Sequence, residues 1–244
     1  MQKINDWLWQ DKKISESTND EALLFSKEIV NQKFIISAEK QTRGRGRRSR
    51  EWISEEGNLF FSQGLEFPLQ RVSELICICT LSLCQTILNL LPQGHKVEIK
   101  WPNDILIDGA KVSGILLEKG EGEYIIIGIG VNILHFPISQ SLNYETTSLL
   151  AKGISVDRLT FLRSYINNFD NNYFYLQSFG FSDIRKLWLS LVKGIGEEIS
   201  VVTDKENVIG IFEGIGDSGE LLLKVQNKLQ KIYTGDVFYI KRED

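Results

Sequence analysis

The sequence predicts an α+β protein with a large mixed domain over residues 1–193 and a small all-β domain over residues 194–244. Two observations support this prediction. Residues 97–133 give an almost continuous strand signal, and helical patterns stand on both sides of them. After residue 196 the helical periodicity stops and short strand patterns separated by turns take over, which is typical of a small β-barrel.

Local patterns define the N-terminal elements. A strand is predicted over residues 7–15, and Asn19 is placed at the N-cap of a helix whose apolar positions extend to Ile29. Residues 34–38 and 58–67 are predicted to be strands, and the glycine- and arginine-rich residues 41–50 between them a loop.

The rest of the large domain contains a core helix, a run of strands and two further helices. Ser73 opens the core helix, whose apolar face extends to Leu90. Strands are predicted over residues 97–101, 105–107, 112–118 and 124–133. The last of these is apolar at successive positions, so we expect a central strand that is buried on both faces. The two helices are predicted over residues 159–173 and around residue 188. In the small domain, strands are predicted over residues 199–202, 208–212, 221–225, 231–233 and 237–240.

The composition is that of an ordinary globular protein, and it excludes some classes of function. Of the 244 residues 28 are basic and 32 acidic, and the net charge of −4 excludes a bulk basic field for nucleic acid or membranes, although not a local basic patch. The three cysteines fall in one apolar stretch and are expected to be buried and reduced. There is no signal-peptide pattern, and polar residues interrupt the most apolar window, residues 75–91. We therefore expect a soluble, cytoplasmic protein that does not span a membrane.

Residues 41–50 concentrate positive charge in this acidic chain. Five of these ten residues are arginines and two, Gly44 and Gly46, are glycines. The glycines are expected to adopt positive φ and to let the backbone approach a ligand, while guanidinium groups pair with carboxylate or phosphate oxygens. The pattern predicts a loop that holds a polyanion. Spacing alone leaves open a solvated basic turn, a nucleic-acid patch and a small-molecule anion site.

Polar residues at the predicted strand ends are candidates for a ligand pocket. Pro102 cannot donate to a strand ladder, so Asn103 and Asp104 stand at a strand end where their side chains can face a pocket. Lys111 begins the next strand and offers a compact positive charge for a phosphoryl group, with an exposed hairpin lysine as the alternative. Asn132 ends an apolar strand, and a buried amide there needs partners in the fold or in a ligand.

Five motifs follow one another in a fixed order. They are Ser17-Thr18-Asn19; Gly44-Arg45-Gly46-Arg47-Arg48 with Trp52 and Asn58-Leu59; Lys100-Trp101-Pro102-Asn103-Asp104; Lys111-Val112-Ser113-Gly114-Ile115-Leu116-Leu117-Glu118; and Gly128-Ile129-Gly130-Val131-Asn132. In order and spacing this series resembles the biotin protein ligases, or biotin–[acetyl-CoA-carboxylase] ligases, over residues 14–134. The C-terminal strands resemble the SH3-like domain of that family in placement. The resemblance implies a mixed central sheet flanked by helices, as in class II synthetases and lipoate ligases, plus a small SH3-like β-barrel.

The resemblance also implies a reaction in two steps. The carboxylate of biotin attacks the α-phosphorus of ATP, supplied with Mg²⁺, to give biotinyl-5′-AMP and pyrophosphate. A lysine of a biotin carboxyl carrier protein then attacks this anhydride and releases AMP. Two anions must approach each other in the first step, so positive groups matter more than a general base.

Each site residue takes its role from the family motif that it matches. The implied catalytic residues are Lys111, which bridges the reacting carboxylate and phosphate oxygens, and Arg47. The implied biotin-binding residues are Ser17, Thr18, Asn19, Gln41, Arg45, Gly46, Arg47 and Lys111. The implied ATP- or adenylate-binding residues are Arg48, Arg50, Trp52, Asn103, Asp104 and Asn132, and no protein ligand to a metal is identified. For Trp52, packing in the core is the alternative.

The sequence departs from the family pattern in three respects. Ser49 stands where the family usually has glycine, so we expect the arginine loop to lose a residue with positive φ. Ser113 stands where glycine or alanine is common. Some members carry an N-terminal winged-helix domain that binds DNA, but the motifs here begin at Ser17. We therefore expect no such domain and no sequence-specific DNA binding.

Two other functions compete with this interpretation. A lipoate or octanoate ligase would share the catalytic fold, but those enzymes resemble one another around a different arginine and glycine pattern. A nucleic-acid-binding module would need aromatic residues among the basic ones, and residues 41–50 have none. The sequence leaves open the carrier protein, the role of the small barrel, and whether a homodimer forms through the edge of the central sheet.

Overall fold

The computed structural model describes residues 1–138 and 144–240, which leaves the last four residues of the predicted small domain outside the description. The first sheet contains β1 (Gln2–Ile4), β2 (Trp7–Ser15), β3 (Phe34–Gln41), β4 (Leu59–Glu66), β5 (Val97–Lys100), β6 (Asp104–Ile107), β7 (Ala110–Lys119) and β8 (Tyr124–Val131). The helices are α1 (Thr18–Phe25), α2 (Val72–Leu88), α3 (Arg158–Phe179) and α4 (Phe181–Leu191). The second sheet contains β9 (Glu198–Val202), β10 (Asn207–Ile215), β11 (Leu221–Val225), β12 (Lys228–Ile232) and β13 (Asp236–Tyr239).

The first sheet is mixed, as the fold prediction requires. Its strands lie in the order β1-β2-β3-β4-β8-β7-β6-β5. β2 and β3 pair in parallel, and the other described pairs are antiparallel. β8 lies between β4 and β7, and seven of its eight residues are buried. This confirms the central strand that the uninterrupted apolar run predicted.

Three helices cover one face of this sheet and build the larger core. α2 lies nearest the sheet. Tyr165 of α3 and Trp188 of α4 are fully buried in the core that these helices form with the sheet. The segment Leu69–Leu88 is long and apolar enough to cross a membrane, but 67% of its apolar window is buried inside the fold, as expected of a core helix. The three cysteines of α2 are free and buried, and burial raises the pKa of each thiol, which confirms their predicted role as small apolar residues.

α1 covers only part of the opposite face. Along β8 the side chains alternate, so Tyr124 and Ile126 join a small apolar cluster with Ala22 of α1. The same alternation brings Gly128 and Gly130 to this face, where the apolar packing stops. The sheet therefore leaves a stretch of bare surface beside the N-terminus of α1.

A few boundaries differ from the sequence predictions. β1 was not predicted, because three residues are too short for a periodic signal. Ser17, rather than Asn19, is the N-cap of α1, since its hydroxyl accepts a hydrogen bond from the Asp20 amide at 3.3 Å. α1 and α2 end before Ile29 and Leu90, which pattern matching had included.

The second sheet is antiparallel, with its strands in the order β12-β11-β10-β9-β13, consistent with the SH3-like fold. The chain reaches it along the edge of the first sheet. Val192 forms a parallel bridge with Ile99 of β5, and the Lys193 amide donates to the Ile99 carbonyl at 2.9 Å. This pairing covers the edge strand β5.

Candidate active site

A pocket of about 740 Å³ opens on the α1 face of the first sheet, and glycines form its floor. Gly114 of β7 pairs with Gly130 of β8 in the sheet, and Gly128 lies two residues earlier in β8, on the same face. A Cβ atom on Gly128 would overlap the amide of Asn19, and one on Gly114 would lie 2.9 Å from the Trp52 ring. Any side chain larger than that of glycine at these positions would therefore collide with the residues that surround the pocket.

The N-terminus of α1 forms a polar end of the pocket. The Gln41 carbonyl oxygen accepts hydrogen bonds from the Thr18 amide at 2.8 Å and from the Thr18 hydroxyl at 3.1 Å. Ser62, which was not predicted, lies behind them, with its hydroxyl 2.8 Å from Thr18 Oγ1 and 2.5 Å from Asn19 Oδ1. Four predicted biotin-binding residues, Ser17, Thr18, Asn19 and Gln41, thus line one end of a single pocket.

The arginine loop is a small hairpin that borders the pocket. The Gly46 amide donates to Arg50 O at 2.7 Å, and the Trp52 amide donates to Gly44 O at 2.9 Å. The hairpin turns at Arg48 and Ser49, which have φ values of 54° and 57°. The expectation that Ser49 would cost the loop its left-handed residue is therefore wrong, because serine itself adopts that conformation.

The glycines of the loop act differently from the prediction. Gly46 has a φ of −113°, and Gly44 is not among the described residues with positive φ. A Cβ atom on Gly44 would overlap the carbonyl oxygen of Trp52, so this position needs glycine for close approach of the two hairpin strands. A Cβ atom on Gly46 would lie 3.5 Å from Arg50 O and 4.0 Å from Arg50 Cβ, which are ordinary contacts.

Arg45, Arg47 and Arg48 extend in different directions from the hairpin. Arg45 pairs with Glu118 of β7 and with Asp20 of α1. Arg47 donates to Asn103 Oδ1 at 3.1 Å and to Gly235 O at 3.1 Å. Arg48 reaches out of the pocket to Asp204, 2.9 Å away, and to Val202 O, 3.2 Å away.

Asp236, the first residue of β13, holds three of these arginines at once. Its carboxylate lies 3.3 Å from Arg47, 3.2 Å from Arg48 and 2.5 Å from Arg50. Burial alone would raise the pKa of Asp236, but the hydrogen bond from Arg50 and the charges of Arg50, Arg47 and Arg48 more than offset it and hold the pKa below its ordinary value. The second sheet thus contributes a lining residue to the pocket, which sequence patterns missed.

Lys111 lies at the centre of the pocket wall. Its ammonium group is 2.7 Å from Asp104 Oδ1 and 5.3 Å from the ring centres of both Trp52 and Tyr144. Its backbone is fixed as well, because its amide donates to Glu145 O at 2.8 Å. The Lys111 side chain is only 14% exposed, so the charge is largely shielded from water and is held in place by one carboxylate and two aromatic rings.

A second cavity of about 380 Å³ adjoins the first and shares Glu51, Trp52, Lys111 and Tyr144 with it. Asn132 lines this cavity, and its amide donates to Thr147 O at 3.1 Å. Trp52 packs on the glycine floor, and its indole nitrogen is buried with no hydrogen-bond partner among the described residues. A polar atom in that condition favours a ligand contact over simple core packing.

Twelve of the fourteen predicted site residues line the first pocket, Asn132 lines the second, and Arg48 is in neither described lining. The lining residues that sequence reasoning did not assign to the site are Glu51, Gly114, Ile115, Leu116, Gly128, Ile129, Gly130, Tyr144 and Asp236. The spacing of Gly128 and Gly130 on a predicted central strand was a usable signal for the floor. Nothing local to Asp236 or Tyr144 marks them as site residues.

Comparisons with known proteins agree with this geometry. The sequence profile of the biotin/lipoate A/B protein ligase family matches residues 12–132, and that of the biotin protein ligase C-terminal domain matches residues 194–239. Biotin–[acetyl-CoA-carboxylase] ligase of Paracoccus denitrificans is 34% identical over 237 residues, which cover 92% of this chain and 98% of that protein. The bifunctional ligase/repressor BirA of Bacillus subtilis is 37% identical over 83% of this chain, and the match spans 65% of that longer protein.

Solved structures show the same fold. The biotin protein ligase of Aquifex aeolicus in complex with biotin and ATP superposes with a TM-score of 0.82 at 24% identity, covering 96% of this chain and 99% of that chain. Biotin acetyl coenzyme A carboxylase synthetase from Helicobacter pylori superposes with a TM-score of 0.66 at 19% identity, covering 92% and 99%. This chain belongs to the biotin/lipoate A/B protein ligase family and carries the C-terminal domain of the biotin protein ligases.

Proposed function

We propose that the protein is an ATP-dependent biotin–protein ligase that forms biotinyl-5′-AMP and transfers biotin to a lysine of a carboxylase carrier protein. The observation on which this rests is a single pocket that joins two unlike ends. One end offers neutral hydrogen-bonding groups from Ser17 to Asn19 and Gln41, and the other offers the cations Lys111 and Arg47. A ligand with a polar, uncharged head and an anionic tail matches that arrangement.

Charge neutralisation is the main demand of the first step. A carboxylate oxygen attacks the α-phosphorus, the bond from that phosphorus to the bridging oxygen breaks, and pyrophosphate leaves with the electron pair. Both reactants are anionic, and their repulsion is strong where water is excluded. Lys111 and Arg47 supply fixed positive charges that stabilise the crowded phosphorus centre more than the separated reactants. We therefore assign Lys111 and Arg47 as the catalytic residues.

Lys111 must exchange partners for this role. Its ammonium group is paired with Asp104, whose side chain is only 18% exposed. An incoming phosphate competes with Asp104 for the ammonium group, while the rings of Trp52 and Tyr144 keep that group in the pocket. Asn103 holds Arg47 in the same way, by accepting its hydrogen bond at 3.1 Å while its own amide donates to Ile115 O at 2.6 Å.

We assign the nucleoside to the second cavity. Trp52 offers a flat aromatic face, and Asn132 offers amide groups at the edge of the cavity. Arg48 and Arg50 lie at the outer part of the loop, where the leaving pyrophosphate would meet them. We assign Mg²⁺ to the nucleotide as part of the substrate, since the described residues contain no cluster of three or more potential metal ligands and Mg²⁺ commonly binds through phosphate oxygens and water.

In the second step the lysine nitrogen of the acceptor attacks the acyl carbon, the bond to the phosphate oxygen breaks, and AMP leaves while the amine loses a proton. The pocket must exclude water until the acceptor arrives, because the anhydride hydrolyses. The arginine hairpin, bridged to the second sheet by Asp236, is placed to cover it. We propose that the acceptor is a biotin carboxyl carrier protein and that the enzyme acts in the cytoplasm. A homodimer through the edge of the central sheet remains a prediction, which light scattering can test by measuring the molar mass in solution.

Biotin-dependent exchange of labelled pyrophosphate into ATP tests this function, with lipoate and octanoate as control acids. The proposal predicts exchange with biotin at least a hundredfold faster than with either control. Exchange that prefers lipoate or octanoate would assign the chain to the other ligases of the family. No exchange with any of the three acids, in protein that is folded by circular dichroism, would favour a binding module.

A further inference from the structure

Glu118 of β7 joins two parts of the site that are far apart in sequence. Its carboxylate accepts a hydrogen bond from the Asn19 side-chain amide at 2.7 Å. It also accepts two hydrogen bonds from the Arg45 guanidinium, at 3.0 Å and 3.1 Å. Glu118 is not among the described residues that line the pocket, so it can act on a ligand only through these two neighbours.

The carboxylate determines which way the Asn19 amide points. A carboxylate only accepts hydrogen bonds, so the amide nitrogen of Asn19 must face Glu118. The carbonyl oxygen then faces the pocket floor, 2.5 Å from the Ser62 hydroxyl and against Gly128. Ser62 uses one lone pair of this oxygen, and a carbonyl oxygen has a second. A ligand with N–H donors in its head group would be complementary to that second lone pair.

Arg45 differs from Arg47, Arg48 and Arg50 in where its carboxylate partners lie. Two hydrogen bonds join it to Glu118, and a third joins it to Asp20 of α1. Both of these partners belong to the large domain, whereas the carboxylate partners of Arg47, Arg48 and Arg50 belong to the small domain. The side chain of Arg45 thus anchors the start of the hairpin beside α1.

We propose that Glu118 is a positioning residue of the biotin site: it holds Asn19 with its oxygen toward the pocket, so that the site selects a ligand with N–H donors, and it anchors the arginine hairpin through Arg45. This inference rests on the proposed function, because the cyclic urea of biotin carries the N–H donors. Glu118 would then affect ligand binding in two ways. It acts on the head group through Asn19, and it acts on the position of the loop through Arg45.

Glu118→Gln tests the proposal, because the amide keeps the size of the side chain but offers a donor where the carboxylate has none. We expect the affinity for biotin, measured by calorimetry without ATP, to fall about tenfold or more. Asp20→Asn, which touches Arg45 but not Asn19, should change it less than twofold. Glu66→Gln is the matched control outside the site, and thermal unfolding of each variant shows that it is folded.

A double-mutant cycle with Asn19→Ala distinguishes positioning from a general structural effect. If Glu118 acts on the head group through Asn19, the double variant binds biotin at most about twofold more weakly than Asn19→Ala alone, which is the margin allowed for the Arg45 contact. Additive losses, or wild-type affinity in Glu118→Gln, would overturn the inference while the proposed function stands. Failure of the unmodified chain to bind biotin would instead overturn the proposed function, and the inference with it.

Discussion

Replacing Asp236 by Asn is expected to release the arginine hairpin from the second sheet. The carboxylate is only 14% exposed and contacts three guanidinium groups. Asparagine keeps one neutral acceptor but turns an amide donor toward a cation, so Arg47, which is 21% exposed, would be left without a charged partner. The hairpin should then open more often in the unliganded protein.

The size of the effect follows from the exposure of each contact. Arg50 is 55% exposed, and a pair of that kind contributes less than about 1 kcal/mol. Hydrogen bonds between charged groups that are better shielded, such as those to Arg47 and Arg48, contribute about 1.5–3 kcal/mol each, but the asparagine oxygen retains part of this. A net loss of about 2 kcal/mol corresponds to an open population that is about 30-fold larger.

Limited trypsin digestion measures this population, because cleavage after the arginines of the hairpin requires it to open. In Asp236→Asn the rate of cleavage within residues 43–50 should rise about 30-fold, as long as opening and closing are fast relative to cleavage. Asp204→Asn, which removes one contact of Arg48 from a side chain that is 79% exposed, should raise it less than about threefold. Asp217→Asn is the control on the same domain and should leave it unchanged. Equal cleavage of Asp236→Asn and the wild-type protein would refute the reasoning.

Three further predictions concern the catalytic lysine, the loop glycines and acid stability. Lys111→Ala should lower biotin-dependent pyrophosphate exchange at least a hundredfold with the melting temperature little changed, and wild-type exchange would remove Lys111 from the mechanism. Gly44→Ala should destabilise the hairpin and speed its cleavage by trypsin, because a Cβ atom at residue 44 overlaps the opposite backbone. Gly46→Ala causes no such overlap and should leave the rate of cleavage, measured without added ligand, within twofold of the wild-type rate. Burial alone would raise the pKa of Asp11, but hydrogen bonds from Arg158 and Ser37 outweigh it, and hydrogen bonds from Lys152 and the Lys96 amide lower the pKa of Asp108. The contribution of both groups to stability is therefore complete above about pH 4 and is lost as the pH falls through the folded-state pKa. The free energy of unfolding, measured with denaturant, should therefore receive a constant contribution from these groups between pH 6 and 8 and should be lower at pH 3. Asp108→Asn should make the decrease at acid pH smaller, and an unchanged decrease would contradict the assignment.

Much of this site could be predicted from the sequence because its parts are local. Ser17 to Asn19, the loop from Gly44 to Arg50 and the turn at Asn103 each occupy a short stretch whose residue types carry their chemistry. The strand that carries Gly128 and Gly130 was predicted too, since a buried central strand has a continuous apolar pattern. The first two segments follow β2 and β3, which are neighbours in the first sheet. The turn at Asn103 follows β5 at the far edge of that sheet, and Arg47 reaches across the pocket to it.

The other parts depend on contacts between distant residues. Asp236 meets the arginine hairpin only because the small domain, which contacts α4 through β10, packs against the large one, and no local pattern encodes that packing. The left-handed residues of the loop were assigned to Gly44 and Gly46, yet the turn falls at Arg48 and Ser49, because hairpin pairing rather than glycine content sets where it closes. Similarly, Ser17 and not Asn19 caps α1, which leaves Asn19 free to bind Glu118.

A co-crystal structure with a stable analogue of biotinyl-5′-AMP tests the central claim most directly. The account predicts that the Lys111 ammonium and the Arg47 guanidinium both lie within about 3 Å of oxygens of the acyl phosphate group, and that Lys111 has left Asp104. An analogue bound with its phosphorus more than about 6 Å from both cations would contradict the account.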